Sequence, residues 1–363
     1  LVGLPPFFPV HPDVYPADEL LRQEDAPTII GNGPYQVATV DPEEQFDLIP
    51  NPAFEGAPPS NDRIVLQRFD LPIDLRRALE AGTVDIAWRA LALPDLDVIS
   101  RNANLIINEQ SNLQTYYMLL NHNPIGQANR DSFDDPAVRE AFALLIKREE
   151  SATLGYDETV TPLYTILPPE FGDWTTSAFP AYDYELADAV LEEAGYRPRR
   201  RTVNVPVYIL TDTYGDLTGD AASELRRFIT ESEILGLSGI TDSQTTTFIS
   251  AVSRGEYTSA IIGWRPHYAS PGGYLVPLVQ SDRPIPANAN YGSDAIDQRI
   301  IDAALSTNAD TQAALYLDIQ AELLAGYNLI PLWQGKDVIV THSDITGVVV
   351  EHNSWLRFDS LTR

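Results

Sequence analysis

The chain contains no cysteine. That excludes disulfides, thiolate metal sites and a cysteine nucleophile, and it is compatible with an exported protein. Lysine is almost absent: only Lys147 and Lys336 occur, and every other basic side chain is arginine. There is one methionine, Met118, well inside the chain, and the chain opens on Leu1 with no charged-then-apolar leader. This reads as a processed or partial chain from which a signal segment has been lost. No apolar run reaches the roughly 18 residues of a membrane-spanning helix. Catalytic signatures are also missing. The five histidines, His11, His122, His267, His342 and His352, include no pair at helical metal-ligand spacing. No Gly-x-Ser-x-Gly elbow and no Walker-type phosphate loop occurs. Positive charge is scarce as well, with 24 basic against 52 acidic residues and a net charge of −28. Such a surface repels phosphate backbones, so no nucleic-acid partner is expected. An acidic, lysine-poor surface suits high salt, and a biased genome composition would give the same arginine preference.

What is present is ordinary globular material: 363 residues, more than one domain's worth, with 44% hydrophobic side chains. Strands and helices alternate, which predicts an α/β fold. Strands are expected at 36–40, 45–50, 63–69, 84–88, 105–108, 114–121, 203–210, 239–241, 257–262, 330–333, 337–341 and 347–350. Helices are expected at 17–23, 71–81, 93–100, 133–147, 184–194, 221–235, 246–254, 294–304 and 311–324. Gly82 and Gly195 read as helix stops. Asp134-Asp135-Pro136 could be taken for a paired-carboxylate site, but its place at a helix start predicts capping, and Asp183 with Glu185 reads the same way. Val138, Ala141, Phe142 and Leu145 form the buried stripe of that helix, and Arg139 is assigned to surface pairing. Arg199-Arg200-Arg201 reads as a solvated turn.

One stretch stands apart, Gly255 to Tyr268. It reads as a short buried strand that breaks at Gly263-Trp264 into a loop carrying Arg265, His267 and Tyr268, with Pro266 stiffening the turn. A strand end delivering aromatics and charge suits a small ligand; otherwise Trp264 is core and the rest is loop. Tyr116 and Tyr117 alternate on their strand, so only one faces a ligand. Trp88 and Arg89 end another strand and could contribute. Asn121 is as suited to binding backbone as ligand.

Several stretches coincide, in order, with one family. Gly31-Asn32-Gly33-Pro34-Tyr35 is similar to its Gly-x-Gly-Pro-Tyr turn, and Gly82-Thr83-Val84-Asp85-Ile86-Ala87 to its Gly-x-Val-Asp-Ile-Ala segment. Tyr117 to Asn121 with Phe133 to Ala141 resembles its hinge strand and following helix. Arg254 to Trp264 resembles its strand ending in Gly-Trp, and Tyr316 to Gln320 with Ile330 to Gln334 its closing helix and strand. The chain thus resembles the extracellular solute-binding proteins of peptide-type (dipeptide and oligopeptide) ABC transporters over almost its whole length. Family members carry a further N-terminal portion before the Gly-x-Gly-Pro-Tyr turn, so this chain is expected to lack it.

The resemblance implies a two-lobed, periplasmic-binding-protein-like α/β clamp with mixed sheets flanked by helices. Lobe one is expected at 1–121, with 331–363 returning to it and Trp333 in its core, and lobe two at 122–330, with hinge strands near 119–124 and 325–332. It implies capture of a peptide or similar small solute by closure between the lobes, and delivery to an ABC permease in the membrane. It further implies a periplasmic or extracellular location, with anchoring through the lost N-terminal segment, and a monomer. No catalytic residue, cofactor or metal is expected. The expected ligand-binding residues are Gly263, Trp264, Arg265, His267, Tyr268, Tyr117, Asn121 and Trp88. Peptide binders of the family place an aspartate three residues after the tryptophan, against the ligand's α-ammonium; here His267 stands there, beside Arg265. An imidazole does not replace a carboxylate, so an anionic or sugar-like solute is the alternative. A binding-protein fold serving as a structural subunit of a surface complex is another.

Overall fold

The structure, a computed structural model, describes residues 31–363 except 42, 89–90, 92, 123, 126–132, 157–158, 177–178, 197–202, 212–215, 243–244, 290 and 352–353. The helix expected at 17–23, Arg89 and Arg199 to Arg201 lie outside the described residues. The chain divides into two units, residues 1–110 with 337–363 and residues 111–336.

In the first unit, β1 (Tyr35–Asp41), β2 (Gln45–Pro50) and β3 (Ile64–Gln67) form a small antiparallel sheet. Two helices follow, α1 (Pro72–Glu80) and α2 (Leu93–Ile99), on either side of the short β4 (Ile86–Trp88). Ala81 caps α1, and Gly82 follows at φ +70, the left-handed turn that glycine adopts without steric cost. Leu75, Leu79, Ala87, Ile99 and Val340 form one core of this unit. Ile339, Ile345, Val350 and Leu356 form another. The strand expected at 347–350 is reduced to isolated bridges, Thr346 to Thr362 and Val350 to Leu356.

β5 (Leu105–Leu120) is a single strand where two were expected. Its polar middle, Glu109 to Asn112, breaks the apolar pattern but not the pairing. In the first unit Gln110 donates its amide to the Val350 carbonyl at 2.8 Å. In the second, the Asn112 side chain accepts from the Gln114 backbone N–H at 2.8 Å.

The second unit continues with α3 (Pro136–Leu144), α4 (Arg148–Tyr156), β6 (Val160–Pro162), a 3-10 segment (Pro169–Trp174) and α5 (Tyr184–Glu193). An alternating run follows: β7 (Val203–Thr211), α6 (Asp216–Glu231), β8 (Leu235–Asp242), α7 (Thr245–Ser253) and β9 (Ser259–Trp264). Four helices, α8 (Gly272–Val279), α9 (Pro284–Ala289), α10 (Asp294–Leu305) and α11 (Ala309–Gly326), lead to β10 (Leu329–His342). β10 is again one strand where two were expected. The strand order is β10-β5-β9-β7-β8, with β7 parallel to both β8 and β9 and β5 antiparallel to β9. β6 adds to β10 in this unit, and the far end of β10 pairs with β4 in the first unit. This mixture of parallel and antiparallel pairing between helices is the expected α/β organisation.

β5 and β10 are the two segments that pass from one unit into the other, and the passages fall inside strands. The expected lobe boundaries, 121/122 and 330/331, both fall within the second unit. Trp333 accordingly belongs to that unit's core rather than to the first. It is wholly buried, with its indole N–H donated to the Arg148 carbonyl at 3.1 Å.

Helix starts follow the capping rule. Asp135 accepts from Ala137 N at 2.9 Å, and Asp183 from Leu186 N at 2.9 Å. Each such cap contributes about 1 kcal/mol. The stripe Val138, Ala141, Phe142 and Leu145 is buried as expected. Arg139 corrects the sequence reading: it is not a surface residue. It is buried, and its guanidinium donates to the carbonyls of Gly326, Phe133 and Asp134 at 2.8, 2.7 and 3.0 Å.

Candidate functional site

β9 lies between β5 and β7; β7 pairs only with its start, at Ser259 and Ala260, and its end is set by pairing with β5. It runs from Ser259 through Gly263 and Trp264, two residues farther than expected, because Gly263 pairs with Tyr116 and Trp264 with Thr115. Thr115 also donates its hydroxyl to the Trp264 carbonyl at 3.2 Å. Trp264 is half-buried, and its indole N–H is donated to the Gly273 carbonyl at the start of α8, at 2.9 Å. Only its ring surface is then left for apolar contact.

The loop after Trp264 exposes Arg265, His267 and Tyr268, while Pro266 is buried. The loop packs directly on α8. A Cβ at Gly273 would lie 2.9 Å from both the Pro266 Cβ and the Tyr268 carbonyl, so only glycine fits there. Arg265 Nε donates to Gln114 Oε1 at 3.2 Å.

β5 opposite is pinned residue by residue. Asn112 Oδ1 accepts from Gln114 N, and the Asn112 carbonyl accepts from Gln334 Nε2 of β10, both at 2.8 Å. The same Gln334 nitrogen donates to Glu170 Oε2 at 2.8 Å. Tyr274 of α8 donates its hydroxyl to the Leu113 carbonyl at 2.7 Å. Burial pushes the Tyr274 hydroxyl far above its ordinary range; Tyr117 and Glu170 add to the rise and Arg265 opposes it. Phe171 meets the Tyr274 ring edge-on at 5.8 Å, and Trp174 packs on Tyr316 at 6.0 Å. The 3-10 segment thus meets α8 through Phe171 and Tyr274, and the β9 end meets it through Trp264 and Gly273.

Of the expected ligand contacts, Gly263, Trp264, Arg265, His267 and Tyr268 lie together here. Tyr117 and Asn121 do not belong to an open surface. Tyr117 is wholly buried and donates its hydroxyl to the Ile166 carbonyl at 2.6 Å. Its alternation with Tyr116 turns it into the core, and Tyr116 meets Trp333 edge-on. Asn121 is buried, with its amide donated to the carbonyls of Gly255 at 3.1 Å and Tyr257 at 2.9 Å, a structural tie between strand ends. Trp88 belongs to the first unit, where it packs edge-on to Phe358 at 6.4 Å. Glu170, Asn112, Gln114, Gln334 and Gly273 were not expected as site residues. Gln334 lies in a stretch that resembles the family's closing strand; Glu170 sits in an irregular, proline-flanked stretch with no periodicity to mark it.

Among the described residues, no three histidines or carboxylates converge as a metal site, and no helix is long and apolar enough to cross a membrane.

The family of bacterial extracellular solute-binding proteins, family 5 (middle), matches residues 3–284. The probable D,D-dipeptide-binding periplasmic protein DdpA of Escherichia coli is 22% identical over 88% of this chain. The chain spans 60% of that relative's length. In structure, the ABC transporter substrate-binding protein CtaP of Listeria monocytogenes superposes with a TM-score of 0.81 at 17% identity, over 99% of this chain and 73% of that one. NikA of Brucella suis, solved with Fe(III)-EDTA, gives 0.76 at 18% identity, over 92% of this chain and 68% of that one. These structures share the fold with this chain. The chain belongs to the family 5 bacterial extracellular solute-binding proteins.

Proposed function

We propose that this chain takes part in capturing a peptide or similar small solute outside the cytoplasmic membrane and delivering it to an ABC permease. The observation that carries the reading is the end of β9. There Gly263 and Trp264, fixed by β5 and Gly273, lead into a loop that exposes Arg265, His267 and Tyr268. A rigid strand end bearing an aromatic surface and a few polar groups suits a small ligand. In peptide recognition of this kind, strand backbone supplies affinity and side chains supply selectivity. Similarity to a probable D,D-dipeptide-binding protein favours the same class.

Calorimetric titration and thermal melting with peptides of two to five residues test this. A bound peptide at about 100 times its Kd stabilises the folded state by about 2.7 kcal/mol, which appears as a higher Tm. Neither heat nor a melting shift with any of them removes peptide binding.

A second reading is an anionic, non-peptide solute, favoured by Arg265 and His267 standing on this loop. It fails if Arg265→Ala leaves affinity for dicarboxylates and phosphate esters at the wild-type level, or if wild type binds none of them.

A further inference from the structure

α8 carries a proline in its interior, Pro277. In a regular α-helix the carbonyl of residue i accepts from the N–H of residue i+4. The carbonyl that residue 277 would serve is that of Gly273, and proline has no N–H to give. Its ring also crowds the carbonyl four residues back. Carbonyls in the last turn of a helix ordinarily lack an intrahelical donor, and that of Leu278 accepts instead from the Tyr291 hydroxyl at 2.6 Å. Gly273 stands in the first turn, where a donor would ordinarily exist. It is buried, so a carbonyl left unmet there would be costly.

The donor comes from β9 instead. The Trp264 indole N–H reaches the Gly273 carbonyl at 2.9 Å. Both ends of this bond are anchored on β5. The Trp264 backbone pairs with Thr115, and Tyr274, next to Gly273, donates its hydroxyl to the Leu113 carbonyl at 2.7 Å. An indole tied at its backbone and at its ring nitrogen has one orientation. Its polar edge is committed to α8, so the ring offers a solute its apolar face and not its N–H.

We propose that Pro277 is a positioning residue for the β9 end. By withholding an N–H from the Gly273 carbonyl, it reserves that carbonyl for Trp264 and so fixes the indole face that a solute meets. The proposal rests on the reading above that the β9 end receives the solute, and it assigns the orientation of that surface to a residue on another element.

The test restores the missing donor with Pro277→Ala. Alanine is the best helix former, so this variant is expected to fold, and circular dichroism with urea unfolding checks that. Val276→Ala is the control, because it alters the same helix without changing the donors available to Gly273. The first readout is solvent exchange of the Trp264 indole proton. Nitrogen-edited proton spectra resolve the indoles of the five tryptophans, and Trp264→Phe assigns the signal. Exchange is expected to quicken about tenfold or more in Pro277→Ala, the scale of one hydrogen bond, and to stay at the wild-type rate in Val276→Ala. The second readout is a double-mutant cycle. Trp264→Phe orphans the Gly273 carbonyl in wild type but not in Pro277→Ala, so it is expected to lower the folding constant about tenfold less in the variant. A merely structural role for Pro277 would change stability and move neither readout.

The third readout is affinity for free peptides of two to five residues, expected to weaken about tenfold or more in Pro277→Ala. If indole exchange and the cycle are unchanged, the proposal is overturned whatever the peptides do. If the indole is released and the variant binds peptide as wild type does, the positioning role is overturned and peptide capture stands. If the indole is released and wild type binds no peptide, peptide capture is overturned and the orientation of Trp264 by Pro277 stands.

Discussion

Gly335 lies against Asn112 so closely that an added methyl group would sit 2.8 Å from the asparagine side-chain oxygen. That oxygen already accepts from Gln114 N. The neighbour therefore cannot yield without giving up a bond. Gly335→Ala is expected to destabilise the protein by about 1–3 kcal/mol, as overpacking does, with a lowered urea midpoint and an unchanged m-value. Wild-type stability in this variant would show that Asn112 is free to move.

Gly273, in the first turn of α8, has the same character. Its missing side chain admits Pro266 and the Tyr268 carbonyl, and its own carbonyl receives the Trp264 indole. Gly273→Ala is expected to displace the Arg265–Tyr268 loop and weaken peptide affinity about tenfold or more, about 1.4 kcal/mol. Titration against the same peptides as wild type checks this, with far-ultraviolet circular dichroism as the folding control.

Tyr117→Phe removes a hydroxyl that meets the Ile166 carbonyl in the core. The orphaned carbonyl costs about 1–3 kcal/mol, read as a fall in Tm. Peptide affinity is expected to stay at the wild-type level, because the ring lies inside the second unit. A loss of affinity without a loss of stability would return Tyr117 to the binding surface.

His122 carries a pH signature. Burial, with Arg139 nearby, pushes its imidazole down to about 4, while its ring pairs with the Asn328 amide. The unfolded chain has the ordinary value near 6.5, so between about pH 6.5 and 4 the unfolded state binds more protons. The stability from the neutral ring is therefore complete above about pH 6.5 and is lost as the pH falls towards 4. Its size is about 1–2 kcal/mol, since the ring is only partly shielded from solvent. His122→Gln is expected to show a shallower fall in stability between pH 7 and 4.5 than wild type, measured by urea midpoints. Parallel curves would remove His122 as the cause.

The features legible in the sequence are those written in local chemistry. Asp135 and Asp183 announce helix starts because a capping carboxylate acts within three residues of itself. The stripe from Val138 to Leu145 follows from helical spacing alone. β5 and β10 were each read as two strands because their middles are polar. Those polar groups are satisfied by partners far along the chain, Gln110 by Val350 and Gln334 by Glu170. Arg139 was hidden for the same reason: one of the carbonyls it meets, that of Gly326, lies far away in sequence. The β9 end was legible through its glycine, aromatic and charge sequence. Glu170 was not, because only tertiary contact joins it to Gln334.

The tie between the Trp264 indole and Gly273 makes this tryptophan a built-in optical gauge. Its indole N–H is held by a carbonyl in the first turn of α8, on which the loop carrying Arg265 packs. Trp333 is sealed in the core, while Trp88, Trp174 and Trp355 emit as well, so the share of Trp264 is read as the difference from a Trp264→Phe variant. A solute that settles on this loop would announce itself in the protein's own fluorescence, with no label attached.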